Sequence, residues 1–362
     1  MSPEAFASTA FAGGEAILGV DRHGHGLIND TYVVRLASGR RLLLQRINGR
    51  VFPHPEHIVA NARTLSDHLA ARRARTGSAD RLRLPALVPA ADGRDFVTDA
   101  DGGFWRALEY LDRTRSYDTI ENDSQAGQVG AALGLFHALL HDLPPERLHV
   151  TLPGFHDTPA CLARFEQAAA GHPVDSAELR RGFAFVAERR ELAGVLERAR
   201  RAGLLAVRAV HGDPKLNNFL FDASGRRVVS LIDLDTVQPG LVHHDIGDCL
   251  RSCANPAGES PEALDAVRFD LDIARALLEG YLTEARGFLA REETALLYDA
   301  IRLLPFELGL RFLTDHLQGD VYFRTAWRGQ NLHRALAQFR LLEDIERNGK
   351  PLRALVAGLA RA

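Results

Sequence analysis

Lysine is almost missing from this chain. Of its 44 basic residues only Lys215 and Lys350 are lysines, so arginine serves nearly everywhere a cation is needed. Cysteine is also scarce. Cys161, Cys249 and Cys253 are too few and too awkwardly spaced for a disulfide framework or a zinc site, which suits a reducing compartment. No apolar run reaches the roughly eighteen residues of a membrane span, and no cation precedes Arg22, so neither a membrane anchor nor a secretory leader is expected. The expected location is cytoplasmic. A net charge of -3 with scattered arginines leaves no basic footprint for nucleic acid. What is present is an ordinary globular composition, 46% hydrophobic and 25% charged, in 362 residues, enough for a large core and two lobes.

Against the arginine-rich background, one segment is conspicuous: His211-Gly212-Asp213-Pro214-Lys215-Leu216-Asn217-Asn218. It is followed by the apolar Phe219-Leu220-Phe221, a turn at Asp222-Ala223-Ser224-Gly225, a second apolar run, and Asp233-Leu234-Asp235. A loop, two short strands and terminal acids form the layout that phosphoryl transfer needs. One Asp orients the attacking hydroxyl and takes its proton, an amide oxygen five residues on holds a metal, and a further carboxylate brings that metal to the nucleotide phosphates. By chance H-x-D-x4-N arises at roughly one start in 8,000, so the surrounding strands and acids carry much of the weight. Asp213 is the candidate base; its alternative is a turn Asp bonded to nearby amides. Lys215 places a compact ammonium where a phosphoryl group would move, or else is a solvated turn lysine. Asn218 and Asp233 are hard oxygen ligands suited to Mg²⁺. Asp235, read as lying on the same strand face as Asp233, either binds substrate or holds the loop.

Residues 1–112 read as strand-rich around one helix that follows Pro53 and Pro55, with Ile58, Leu65 and Leu69 on one face. From residue 113 the periodicity is helical. Helices are expected near 124–142, 176–202, 261–286, 291–318 and 331–348, with a kink at Pro305 and the catalytic stretch as an isolated strand pair among them. Asp245 and Asp248 are read as opening a helix, their carboxylates capping free amides.

A small strand-rich lobe, a hinge strand and a helical lobe bearing this loop resemble the aminoglycoside phosphotransferase and choline kinase superfamily. Over nearly its whole length the chain is similar to the N-acetylhexosamine 1-kinases. The likeness is carried by Gly26-Leu27-Ile28-Asn29-Asp30-Thr31-Tyr32, Leu44-Gln45-Arg46-Ile47-Asn48, Val51-Phe52-Pro53 and Phe155-His156-Asp157-Thr158-Pro159. Lys215-Leu216-Asn217-Asn218, Ile232-Asp233-Leu234-Asp235-Thr236, Leu310-Arg311-Phe312-Leu313 and Gly319-Asp320-Val321-Tyr322-Phe323 carry it too.

The resemblance implies an α+β, protein-kinase-like fold with an antiparallel-sheet lobe (1–112) that binds nucleotide and includes the hinge. A helical lobe (113–362) would carry the catalytic loop and the acceptor site. It implies ATP and Mg²⁺ as cofactors and a sugar as substrate, with no nucleic-acid, membrane or protein partner. Nucleotide contacts would fall to Gly24, Gly26, Asn29, Thr31 and Gln45, and at the hinge to Glu109 and Leu111. Acceptor contacts would fall to Asp235, Arg311 and Tyr322, and Asp245 would brace the catalytic loop.

On sequence alone the glycines at 24 and 26 are equally an ordinary hairpin, and 109–111 a plain connecting strand. One departure stands out. Gln45 occupies the third-strand position where kinases usually carry lysine, and Arg63 lies near the expected helix glutamate. The resemblance implies a variant nucleotide clamp, since hexosamine 1-kinases share this Gln; the rival is a nucleotide-binding pseudokinase. A kinase of another sugar, an amino alcohol or an aminoglycoside is the rival within the enzyme class. Leu27, where a polar residue is expected beside the sugar, bears on that choice.

Overall fold

The computed structural model describes residues 2–24, 28–76 and 81–360. After a short helix α1 (Pro3–Phe11), the chain lays down strands β1 (Ile17–Arg22), β2 (Asp30–Leu36) and β3 (Arg41–Ile47). A long helix α2 (Pro55–Thr76) leads to β4 (Leu87–Val88), β5 (Val97–Thr98) and β6 (Phe104–Glu109). The antiparallel sheet has the order β1-β2-β3-β6-β4, with β5 also on β6. Alternation sets its inner face: Val34 and Leu36, Leu42 and Leu44, and Trp105 and Ala107 are buried together with Phe11 of α1.

Helices dominate the second half, apart from short strands. Beyond β7 (Thr114–Arg115) come α3 (Asp123–Leu140), α4 (Thr158–Ala169), α5 (Ala177–Arg189) and α6 (Val195–Arg201). The strands β8 (Arg208–Val210), β9 (Phe219–Asp222), β10 (Val228–Leu231) and β11 (Gln238–Gly240) precede α7 (Val242–Cys253) and α8 (Leu271–Ala285). The chain closes with α9 (Arg291–Ala295), α10 (Leu297–Leu317), α11 (Gln330–Arg347) and α12 (Gly349–Leu359). Side-chain oxygens of Asn122, Asp157, Ser176 and Asp270 cap α3, α4, α5 and α8. Helices α3 and α8 press together so closely that a Cβ on Gly130 would meet the Leu277 carbonyl oxygen at 1.9 Å. One large core joins α3, α7, α8 and the β8–β10 strands, and it takes in Leu65 and Leu69 of α2. A second core lies between α4, α5, α10 and α11.

Several boundaries differ from the periodicity reading. Residues 261–270 are irregular around a turn at 264–266, because Asp270 caps a helix that begins only at Leu271. The expected 176–202 helix divides at 190–194, and the expected 291–318 helix divides at Leu296. Pro305 lies inside α10, which continues through it. Helices α1, α4 and α12 were not anticipated, nor was β7, which pairs with β9 to make the catalytic strand pair three-stranded. Among the described residues no helix is long and apolar enough to cross a membrane.

Candidate active site

The catalytic loop leaves β8 at His211 and returns through β9. Gly212 has φ +87°, and a Cβ there would meet the Thr236 carbonyl oxygen at 2.8 Å, so glycine is required both by conformation and by space. His211 is buried and donates from Nε2 to the Ile232 carbonyl (2.9 Å), while its Nδ1 accepts the Asp213 N–H (3.3 Å). Burial lowers the pKa of this imidazole, in keeping with a neutral ring that donates at one nitrogen and accepts at the other.

The Asp245 carboxylate receives the His211 and Gly212 amides at 2.6 and 2.8 Å, and His137 Nε2 at 2.8 Å. Burial would raise its pKa, but the hydrogen bond from His137, and then the amide hydrogen bond from His211, hold it below the ordinary value. Asp245 therefore does not cap its own helix; it holds the loop. Asp248, read beside it as a cap, sits farther along α7 and accepts from Arg251 Nε at 2.7 Å.

Within the loop, Lys215 Nζ bonds Asp213 Oδ2 at 2.5 Å, both side chains being about one-third exposed. Burial opposes the Lys215 charge, but Asp213 and Asp233 outweigh it and raise its pKa, keeping it an ammonium. Asn218 donates its amide to the Asp213 carbonyl (2.8 Å), which fixes that side chain and leaves its oxygen as a ligand.

Asp233 is not on a strand. β10 ends at Leu231, Asp233 adopts left-handed φ 63°, and 234–236 form a tight 3₁₀ turn, so Asp233 and Asp235 do not share a strand face. Asp233 is exposed and accepts no hydrogen bond from the described residues. Although its surface reaches solvent, the protein packed around it and then the neighbouring Asp235 charge raise its pKa to about 6. An underpaired carboxylate beside a fixed amide oxygen is a donor set that a hard divalent cation fits.

Asp235 is buried and engaged on both oxygens. Oδ1 pairs with Arg106 of β6, and Oδ2 accepts Asn29 Nδ2 at 2.6 Å. Of the two readings left open for Asp235, this geometry favours holding: it ties the sheet to the catalytic segment. Asn29 also accepts the Asn48 N–H (2.9 Å), so its side chain is committed to structure. Gln45 donates to Thr31 Oγ1 at 3.4 Å and accepts two bonds from Arg106. Arg63 points elsewhere, paired with Asp95.

Gly24 has φ +68° in the β1–β2 connection; Gly26 and Leu27 lie outside the described residues. At the hinge the Glu109 N–H donates to the Ala86 carbonyl (2.9 Å) and its carboxylate pairs with Arg83, so this residue's donor is already in use. Leu111 keeps its N–H free of backbone partners among the described residues.

On the other side of the loop, Arg311 of α10 lies over three rings, Phe155 (5.3 Å), Phe323 (5.4 Å) and Tyr322 (6.0 Å). The irregular segment bearing Tyr322 is pinned by Asp315, which accepts the Val321, Tyr322 and Phe323 amides at 2.8–3.0 Å. Tyr322 is 51% exposed. Phe155 leads directly to His156, which donates from Nε2 to the Gly212 carbonyl (2.8 Å) and from Nδ1 to Glu307 (2.9 Å). Burial favours the neutral ring, yet Glu307 and the Gly212 carbonyl raise the His156 pKa to about 9. Burial likewise opposes the Glu307 charge, but His156 lowers that carboxyl to about 2. His156 also stacks on His244 at 4.9 Å; burial, and next the His156 charge, push His244 down to about 3.

The structure thus gathers Asp213, Lys215 and Asn218 on one loop with Asp233 beside it, and sets Arg311 and Tyr322 around Phe155, next to the His156 that bonds the loop at Gly212. Sequence reasoning missed Arg106, His156 and Glu307 as partners. The one available signal was a lone buried-strand arginine, Arg106, in an apolar run.

The chain matches the phosphotransferase enzyme family over residues 19–287. Solved structures with the same fold include an aminoglycoside phosphotransferase from Alicyclobacillus acidocaldarius, at 16% identity, TM-score 0.60 and 97% coverage of both chains. A microcompartment-associated aminopropanol kinase aligns at 20% identity and TM-score 0.61, covering 92% of this chain and 93% of the other. An amicoumacin kinase solved with AMP-PNP and Ca²⁺ aligns at 16% identity and TM-score 0.58, covering 91% and 88%. With a family match spanning both the sheet and the catalytic loop, this chain belongs to the phosphotransferase enzyme family.

Proposed function

We propose that this protein is an ATP- and Mg²⁺-dependent kinase that phosphorylates a sugar hydroxyl, the anomeric oxygen of an N-acetylhexosamine. The observation that carries the kinase chemistry is Asp213, Lys215 and Asn218 on one braced loop, with Asp233 brought beside it by the Ile232 N–H to Asn218 carbonyl bond (2.9 Å). Asp213 orients the acceptor hydroxyl and takes its proton late, as a loose transition state requires. The anomeric hydroxyl is more acidic than an ordinary alcohol, so a carboxylate suffices as base. Lys215 stands where charge develops on the transferring group. Asn218 and Asp233 would hold Mg²⁺, which supplies charge neutralisation on the phosphates. Leu111 offers its N–H to an adenine edge.

For the acceptor, the support is the aromatic frame around Arg311, beside the loop and open at Tyr322. Such a frame suits a neutral, hydroxyl-rich ring. An amino-alcohol acceptor, as in the name of the aminopropanol kinase, is the second reading, favoured by the carboxylates around the cleft; a cation would instead meet Arg311.

The test is ADP release with a panel of free hexoses, hexosamines and amino alcohols, followed by phosphorus NMR of the product. Coupling of phosphorus to the anomeric proton supports the proposal. A product phosphorylated at another carbon, or turnover of amino alcohols alone, overturns the acceptor assignment.

A further inference from the structure

Kinases usually hold the inner nucleotide phosphates with a third-strand lysine anchored by a helix glutamate. Here that strand position is Gln45, and neither carboxylate of α2 pairs with it: Glu56 lies against His54, and Asp67 is exposed near Arg63, which itself pairs with Asp95. A cation nevertheless occupies this place in the cleft. Arg106 stands directly across from Gln45 in the β3–β6 register. Its Nε and Nη2 donate to the Gln45 oxygen at 3.1 and 2.7 Å, and Nη2 also meets Asp235.

The side chain is 3% exposed, so its position is set by packing and not by solvent. Nη1 has no hydrogen-bond partner among the described residues and is not closed off from solvent, which leaves two donors unassigned. The carboxylate that fixes this arginine comes two residues after Asp233, and Arg106 in turn lowers the Asp233 carboxyl electrostatically, so the two lie close in space.

We propose that Arg106 replaces the missing lysine as the cation that grips the α- and β-phosphates, with Gln45 aiming its guanidinium and Asp235 anchoring it. The anchor has moved from the helix of the small lobe to the catalytic segment of the large one. The clamp therefore spans the cleft and forms only when the two lobes are in register. A planar fork also demands Gln rather than Lys on the third strand: an oxygen there accepts from it, whereas an ammonium would repel it. This inference rests on the nucleotide-dependent kinase reading and says nothing of the acceptor.

The test compares ADP with adenosine, by calorimetry on the full chain without acceptor. Arg106→Ala alone strands a buried Asp235 carboxylate, so the informative variants are Arg106→Lys and the double variant Arg106→Ala/Asp235→Asn, which strands no charge. In the double variant ADP affinity should fall at least about 10-fold, as expected for a lost charge-assisted contact, while adenosine binds within about 2-fold of wild type. Arg106→Lys should lie between the two. Equal loss for ADP and adenosine, or unchanged ADP binding, overturns the assignment, because a purely structural arginine does not distinguish the two ligands. Wild-type protein that fails to prefer ADP over adenosine refutes the nucleotide reading itself, a result separable from the behaviour of the variants.

Discussion

Replacing Glu307 with Gln should change how stability depends on pH. In the native protein His156 is buried between Glu307 and the Gly212 carbonyl, and its pKa rises from 6.5 to about 9. At about 1.4 kcal/mol per pH unit this is about 3 kcal/mol of stabilisation. The folded value lies above the unfolded one, so the contribution is complete below pH 6.5 and is lost as pH rises through about 9. Glutamine keeps the size and an accepting oxygen but removes the charge, leaving a buried imidazole without its counter-ion.

At pH 6.5 the variant should be destabilised by about 3 kcal/mol, the low end for breaking a buried pair. At pH 10 wild type has shed the same term, and the gap should shrink to about 1 kcal/mol or less. Urea unfolding of both proteins at the two pH values measures it. A gap that stays constant with pH would refute the charged state of His156. On the acid side Glu307 acts in the opposite sense. Its carboxyl is depressed to about 2, so its contribution is present above 4.5 and disappears as pH falls through 2.

Asp213→Asn should lower kcat by orders of magnitude with ATP affinity nearly constant, since this side chain acts on the acceptor oxygen; an active Asn variant with only a raised KM removes it as base. Asn218→Ala and Asp233→Ala should each weaken Mg²⁺-dependent ATP binding, non-additively in the double variant, and ATP titrations with and without Mg²⁺ report this. Unchanged Mg²⁺ dependence in the single variants places the ligands elsewhere. Lys215→Ala should reduce kcat more than it weakens acceptor binding, with Lys215→Arg recovering only part; steady-state kinetics showing full activity for Arg would contradict a role specific to the ammonium.

The catalytic segment was legible because its groups are close in sequence. The Asp213-to-Asn218 spacing, the turn at 222–225 and the acids after the second strand are all set by local geometry. The sheet was legible too, since Val34 and Leu36, and Leu42 and Leu44, alternate onto one buried face. The clamp was not. Arg106 meets Asp235 across 129 positions and His156 meets Glu307 across 151, and no period or spacing reports such a pairing. Asp233 was misplaced on a strand because alternation is only a default, and a left-handed residue ends it. Residues 261–270 misled for a related reason: Val267 and Phe269 are apolar because they are buried, not because they are helical.

Asp245 gives the catalytic loop an unusual dynamic standing. The amides of His211 and Gly212 end on a carboxylate that is itself bonded to His137, whose other nitrogen meets Tyr281 of α8 at 2.9 Å. Exposing either amide to solvent means opening the packed interface of α3 and α8, the centre of the largest core. Hydrogen exchange at these two amides should therefore run at the rate of global unfolding and not of loop fraying. The segment bearing Asp213 and Lys215 then rides on the most slowly opening unit of the molecule, tied to it by the two amides that Asp245 accepts.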